Sequence, residues 1–321
     1  MRIVFLDSDS LGGVDLSPIS RLATGGFSLY GMTSGEEQTI ERAKGHKVLI
    51  CNKVPITRRV LSELKQSGLE LVVLTATGMN NVDLDAAKEL AIEVRNAVGY
   101  STHSVAEATI GSALALLRHN SYYDRYVKGG EYTKSGKIFC FDRRIGELHG
   151  SRWGIIGLGA IGREVARLAT AFGCEVCYFS TSGTAGNGER KEDYASFDTL
   201  DELLGWSDVL SIHAPLSGAT KNLISEREFS AMQPHAIIIN MARGGIVDES
   251  ALVAALNSGT IAAASLDVFA NEPLMAGDAV LHNISDSDKL LLAPHNGWAS
   301  TNAINQLVLC TAENIKQFKQ S

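Results

Sequence analysis

The sequence predicts an α/β protein with two parallel sheets, and three observations carry that prediction. Short apolar runs alternate with helical patterns through the first hundred residues. A second alternating series begins near residue 153. The chain of 321 residues, 45% hydrophobic and 20% charged, has material for about two globular domains. In the first series the strand candidates are Ile3 to Leu6, Val48 to Cys51, Leu71 to Leu74 and Ile92 to Val94. Val60, Leu61 and Leu64, after Thr57, form a helical pattern between two of them. Thr102 to His119 then reads as a long helix, apolar nearly all round and therefore expected to be buried.

The second series opens with a strand at Trp153 to Ile156. Val165, Leu168, Ala169 and Phe172 follow at i, i+3, i+4 and i+7, one face of a helix. Val176 to Phe179, Val209 to Ile212, Ile237 to Asn240, Ala263 to Leu266 and the short Leu291–Leu292 run supply further strands. Ser225 and Glu228 have the spacing of a capping box at a helix start. Ile304, Leu307, Val308, Ile315 and Phe318 make the closing helix amphipathic. No fixed-period repeat and no Pro- or Ser-rich linker separates the two series, so any domain joint is expected to be structured.

Charge and composition exclude several classes. With 29 Lys and Arg against 36 Asp and Glu, the net charge of −7 disfavours a nucleic-acid partner. No apolar stretch approaches a membrane span, and the opening MRIVFLDSDS is not a signal peptide, so the expectation is a cytoplasmic protein. The five cysteines are scattered and odd in number, which fits reduced, packed thiols. Cys174 and Cys177 match C-x-x-C, but no second pair or nearby His completes a zinc site, and no metal is expected.

Gly157-Leu158-Gly159-Ala160-Ile161-Gly162 is a G-x-G-x-x-G sequence that follows a strand candidate and opens a helix candidate. In that context it predicts dinucleotide binding. The first glycine permits the tight turn, the second lets pyrophosphate approach the backbone, and the third lets helix and strand pack closely. The helix N-terminus then offers free N–H groups and a positive dipole end to the phosphates. The acidic residue that binds the adenosine ribose is expected near the end of the next strand, where this chain has Ser180 and Thr181. Arg190 and Lys191 are the nearest cations, so both NAD(H) and NADP(H) stay open.

Three titratable residues lie in late turns. Arg243 sits in Asn240-Met-Ala-Arg-Gly-Gly, Glu272 in Leu266-Asp-Val-Phe-Ala-Asn-Glu-Pro273, and His295 in Leu292-Ala-Pro-His-Asn-Gly-Trp298. Arg holds a carboxylate in a bidentate fork, and a His with a carboxylate partner is a general acid near neutral pH. His46, His103, His119, His149, His235 and His282 are read as structural or surface residues.

With these motifs in this order, and with Ala76-Thr-Gly-Met-Asn-Asn-Val-Asp83, Gly99-Tyr-Ser-Thr-His-Ser-Val-Ala-Glu107 and Ile212-His-Ala-Pro-Leu216, the whole chain resembles the D-isomer-specific 2-hydroxyacid dehydrogenase family. Its opening and the Phe179-Ser-Thr-Ser-Gly183 stretch look most like the glycerate dehydrogenase, or hydroxypyruvate reductase, branch. The resemblance implies reversible reduction of a small 2-oxo acid to a D-2-hydroxy acid, with hydroxypyruvate and D-glycerate in view and D-lactate or glyoxylate reductase activity as the neighbouring alternatives.

The resemblance also implies roles. Arg243 would bind the substrate carboxylate and polarise the C2 oxygen. His295 would exchange a proton with that oxygen, and Glu272 would hydrogen-bond His295 and favour its charged form. Backbone N–H groups near Thr77 and Gly78 would hold the carboxylate. Asp267 would orient the nicotinamide, and Thr102, His213, Ala214, Pro215, Ala242 and Gly297 would line the cofactor. From the sequence itself, Phe139, Phe141 or Trp298 are candidates to shape the pocket, within one chain or across a subunit interface, and Trp298 reads equally as core. The implied architecture is a Rossmann-type cofactor domain, residues 101–292, inserted in a flavodoxin-like substrate domain of residues 1–100 and 293–321, in a homodimer. A cofactor-sensing, corepressor-like scaffold is the reading from another class; the acid–base pair argues against it.

Overall fold

A computed structural model describes residues 1–182, 194–275 and 279–320. The chain divides into two compact units, Met1–Ser101 with Ala299–Ser321, and Thr102–Trp298.

The first unit holds a parallel sheet of β1 (Ile3–Phe5), β2 (Phe27–Leu29), β3 (Val48–Cys51), β4 (Leu71–Leu74) and β5 (Glu93–Asn96), ordered β2-β1-β3-β4-β5. This is the flavodoxin-like order. Every residue of β3 and β4 is buried, as continuous apolar runs covered on both faces require. The Arg58–Gln66 helix starts at Thr57, whose hydroxyl accepts the Val60 N–H, and it buries Val60, Leu61 and Leu64. The closing Thr301–Gln320 helix belongs here too, and Asn314 Nδ2 donates to the Asn96 carbonyl at 2.9 Å. Strand order reverses between β1 and β3. There Asp7 accepts the backbone N–H groups of Asn52 and Lys53 at 2.8 and 2.7 Å. Burial pushes the Asp7 carboxyl upward despite those bonds.

The second unit holds β6 (Arg152–Ile156), β7 (Glu175–Phe179), β8 (Ala195–Ser196), β9 (Val209–Ile212), β10 (Ile237–Asn240), β11 (Ala263–Leu266) and β12 (Leu290–Leu292), ordered β12-β11-β10-β9-β6-β7-β8 and parallel throughout. This is the doubly wound dinucleotide-binding order extended by one strand, and its switch point lies between β6 and β9. The Thr102–Leu117 helix buries Val105, Ala106, Ile110, Ala113 and Leu116 in the same cluster as Trp153 and Ile155. It ends two residues before the expected His119, which takes a left-handed φ of 51° and starts the Asn120–Lys128 helix.

Two differences from the sequence reading have physical causes. β2 and β8 are short edge strands with no fully buried residue, so they carry no apolar signature. The second crossing between units lies after Trp298 and not before Ala293. The turn carrying His295 is held in the second unit because the Asp267 carboxylate accepts the N–H groups of Asn296 and Gly297 at 2.8 and 2.9 Å. Trp298 also packs against the core cluster that contains Trp153.

The five cysteines are unpaired. The Cys174 thiol donates to the Leu148 carbonyl and is pushed up to about 11 by burial, so it is a thiol at neutral pH. Among the described residues no group of His, Cys, Asp or Glu is arranged to hold a metal ion, and no helix is long and apolar enough to cross a membrane.

At the amino ends of β6 and β9, Asp208 joins three partners. It accepts from the Arg152 backbone N–H, the Arg152 guanidinium and His235 Nε2, each at 2.8 Å. Burial pushes its carboxyl upward, but the Arg152 and His235 bonds outweigh burial and hold it at about 2. A carboxyl lowered on folding stabilises the protein above its unfolded value and loses that contribution as pH falls through the folded value. Asp208→Asn is therefore expected to cost about 2 kcal/mol at pH 7, with the gap from wild type closing between about pH 4 and pH 2. Urea unfolding of both proteins at pH 7 and pH 3 checks this; a gap unchanged with pH would contradict it.

Candidate active site

The second unit gathers its ligand loops beyond the carboxyl ends of β6, β7, β9, β10 and β11. Gly157 follows β6 with φ 90°, and a Cβ there would lie 2.9 Å from the Ala214 backbone nitrogen. Only glycine allows that turn and that approach. A Cβ on Gly162 would lie 2.3 Å from the Gly157 carbonyl oxygen, so the helix packs on the loop backbone itself. A Cβ on Gly159 would meet nothing within 4 Å. Gly159 is the N-cap of the Ala160–Ala171 helix and gives it no side-chain cap, which leaves first-turn N–H groups, beginning at Ala160 and Ile161, without that partner.

Ser180 and Thr181 leave the end of β7, and Ser180 Oγ lies 3.0 Å from Ser182 Oγ. No carboxylate occupies residues 180–182. Gly183, Arg190 and Lys191 lie outside the described residues. His213, Ala214 and Pro215 leave β9 directly opposite the glycine loop, and burial holds His213 down at about 3. Its Nδ1 is buried with no hydrogen-bond partner. An open glycine face, an uncapped helix start and an orphaned buried nitrogen at one switch point fit a dinucleotide phosphate bridge and its neighbouring polar groups.

The three titratable candidates all belong to this unit. His295 Nδ1 lies 2.6 Å from Glu272 Oε2. A carboxylate can only accept, so Nδ1 carries the proton and Nε2 is left for another partner. The other Glu272 oxygen accepts the Phe269 N–H at 2.9 Å, which fixes the carboxylate plane. His295 adopts φ 54°, a left-handed conformation that costs a non-glycine residue about 1–2 kcal/mol. That conformation is held by the Asp267 bonds to the next two residues and by the Trp298 indole N–H, which donates to the His295 carbonyl at 2.9 Å.

Arg243 follows β10 in a turn shaped by Asn240, whose amide accepts the Ala242 N–H at 3.0 Å and donates to the Arg243 carbonyl at 2.9 Å. The guanidinium donates to the Ala242 carbonyl at 2.7 Å, and among the described residues no carboxylate pairs with it. Gly244 packs directly on the loop of Glu272: a Cβ there would lie 1.7 Å from the Phe269 carbonyl oxygen. Arg243 and Glu272 thus sit on loops locked together through their backbones.

Asp267, expected only as a cofactor residue, has both oxygens on the His295 turn. Burial pushes its carboxyl upward, opposed by those two N–H donors. An Asp just past a strand signals a helix cap or turn as readily, so spacing alone did not reveal this support. Thr102 begins the Thr102–Leu117 helix, where Ser104 Oγ donates to the Gly297 carbonyl at 2.7 Å. Thr77 and Gly78 lie in the first unit, in the loop after β4. That loop is tied down by Thr77 Oγ1 donating to the Ala97 carbonyl at 3.0 Å and by Asn96 Nδ2 donating to the Thr77 carbonyl at 2.6 Å.

Comparison with known proteins shows the family of the chain. Residues 110–297 match the model of the D-isomer specific 2-hydroxyacid dehydrogenase NAD binding domain. The chain is 35% identical over 317 residues to a glycerate dehydrogenase of Methylorubrum extorquens, covering 99% of this chain and 96% of the relative. It is 33% identical over 321 residues to a hydroxypyruvate reductase of Blautia hydrogenotrophica, covering 99% and 97%. The apo-structure of D-lactate dehydrogenase from Escherichia coli superposes with a TM-score of 0.82 at 26% identity, covering 100% of this chain and 97% of that one. A doubly wound unit with its glycine loop at the switch point, matched over the whole chain by these enzymes, places the protein in the D-isomer specific 2-hydroxyacid dehydrogenase family, as an NAD-dependent oxidoreductase.

Proposed function

We propose that the enzyme reversibly reduces hydroxypyruvate to D-glycerate, and that it accepts both NADH and NADPH. The observation that carries the chemistry is the 2.6 Å His295–Glu272 pair. With Nδ1 protonated against Glu272, Nε2 is the atom that gives a proton to the substrate C2 oxygen during reduction and recovers it during oxidation. Arg243, lacking a carboxylate of its own among the described residues, binds the substrate carboxylate and draws electron density from the C2 oxygen. In the first unit, Thr77 and Gly78 are the residues for which the family resemblance implies a carboxylate-binding role. When bound, the nicotinamide dinucleotide supplies the hydride; the protein supplies orientation and charge. Gly157, Gly159 and Gly162 seat its phosphates, Ser180 and Thr181 its adenosine ribose, and Thr102, His213, Ala214, Pro215, Ala242, Asp267 and Gly297 its remaining length.

Two relatives named for glycerate and hydroxypyruvate support the substrate. A relative from Aeropyrum pernix, 38% identical over 253 residues, is named glyoxylate reductase, which makes glyoxylate the neighbouring candidate. Relaxed cofactor choice is supported by the absence of a carboxylate at 180–182, since none repels a 2′-phosphate there. A homodimer is supported by the exposed Ile138, Phe139 and Phe141, at 77%, 68% and 83% exposure, in a segment of the family's NAD binding domain.

Absorbance at 340 nm with each cofactor and a panel of 2-oxo acids tests the reading. Hydroxypyruvate is expected to give the highest kcat/KM, with NADH and NADPH within about tenfold of each other, or roughly 1.4 kcal/mol. A better substrate, or a bias of about a hundredfold, would overturn the corresponding half. Cofactor binding without turnover of any 2-oxo acid would favour a sensing scaffold.

A further inference from the structure

His213 leaves β9 where the strand order reverses, against the glycine loop. Its Nε2 lies 3.1 Å from Ser211 Oγ, and the same oxygen accepts the Trp153 indole N–H at 2.9 Å. Ser211 and Trp153 are fully buried, and among the described residues the Ser211 hydroxyl has no other partner. Two proton arrangements are possible. With a proton on Nε2, both Trp153 and His213 donate into Ser211, and two groups go unpaired: the Ser211 hydroxyl proton and the Nδ1 lone pair. With the proton on Nδ1, Trp153 donates to Ser211, Ser211 donates to Nε2, and only the Nδ1–H lacks a partner. Each buried unpaired group is costly, so the second arrangement is favoured.

We propose that Trp153 and Ser211 are positioning residues that hold His213 as the neutral Nδ1–H tautomer, and that this N–H donates to an acceptor oxygen of the bound dinucleotide. The second half rests on the cofactor reading of the glycine loop. The donor is one that this fold leaves unsatisfied at the switch point, where such ligands bind, and a dinucleotide is rich in acceptor oxygens. His213 then acts in binding, separate from the proton exchange at His295. Because Nδ1 is covered in the free chain, pairing requires a local adjustment on binding, and the imidazole nitrogen signals read it directly.

The test is long-range proton–nitrogen NMR of the full chain with labelled histidine, with the His213 signals assigned through a His213→Gln variant. In the free protein Nδ1 is expected to show a protonated-type shift and Nε2 an unprotonated one; the opposite pattern overturns the tautomer. On saturation with NADH the Nδ1 signal is expected to move, and an unchanged signal overturns the donor role. Ser211→Ala removes the donor to Nε2, so it is expected to lower the Nδ1–H population of His213 and to raise the NADH Kd about three- to tenfold. Wild-type affinity in that variant, with that population lowered, would likewise overturn the donor role. If the wild-type chain bound neither cofactor, the cofactor reading itself would fail, while the tautomer in the free protein would still be decided.

Discussion

Replacing His295 by Ala is expected to lower kcat for 2-oxo acid reduction by about 10²–10⁴-fold while leaving NADH affinity close to wild type. The His295 turn is held at three points, one on the ring and two on the backbone. Glu272 fixes Nδ1 at 2.6 Å, Asp267 accepts the N–H groups of the two following residues, and the Trp298 indole holds the His295 carbonyl. The backbone therefore keeps its course when the ring is removed, and the loss is confined to proton delivery from Nε2. Steady-state kinetics with hydroxypyruvate, paired with NADH binding by fluorescence, separates the two quantities. A parallel loss of kcat and cofactor affinity would assign His295 to the fold of the loop and not to the reaction.

Gly244→Ala is expected to be the most damaging single-methyl change in the site. Its Cβ would lie 1.7 Å from the Phe269 carbonyl oxygen and 2.0 Å from the carbonyl carbon, and both atoms are backbone. No side-chain rotation relieves that overlap, so the 243–245 turn and the 269–272 loop must move apart. A displacement of about 1 Å between positioned groups costs on the order of a hundredfold in rate, and kcat/KM is expected to fall at least that far. Gly245→Ala is the matched control. Gly245 has φ 77°, but a Cβ there would find its nearest neighbour, Leu216 Cδ1, at 3.9 Å. Its cost is the left-handed conformation alone, about 1–2 kcal/mol in stability with a smaller effect on rate. Equal losses in the two variants would show that the backbone contact does not position the site.

The core was legible in the sequence wherever a strand is buried on both faces. Val48–Cys51, Leu71–Leu74, Val209–Ile212, Ile237–Asn240 and Ala263–Leu266 have the limits expected from their apolar runs. Phe27–Leu29 and Ala195–Ser196 were not legible, because an exposed edge strand needs no hydrophobic signature. The glycine loop could be read because backbone geometry allows only one residue type at Gly157 and Gly162. The pairing of His295 with Glu272, separated by 23 residues, has no local periodicity behind it and came from family resemblance. The Trp153–Ser211–His213 chain depends on β6 lying beside β9, with Ile155 opposite Ser211. No local pattern encodes that register, so the unpaired nitrogen at its end became visible only in the fold.

The backbone contact between Gly244 and Phe269 also bears on how such an enzyme can acquire new substrates. The elements that carry Arg243, Glu272 and His295 are joined through main-chain atoms and one buried carboxylate, which leaves little room for stepwise side-chain change. The Asn52–Lys53 and Thr77–Gly78 segments in the other unit are held mainly by side-chain bonds from Asp7, Asn81, Asn96 and Thr77 itself. Each unit, taken by itself, thus holds its loops in a different way: main-chain packing in one, side-chain bonds in the other. A library built to retarget the enzyme would therefore leave residues 240–245, 267–272 and 295–298 untouched.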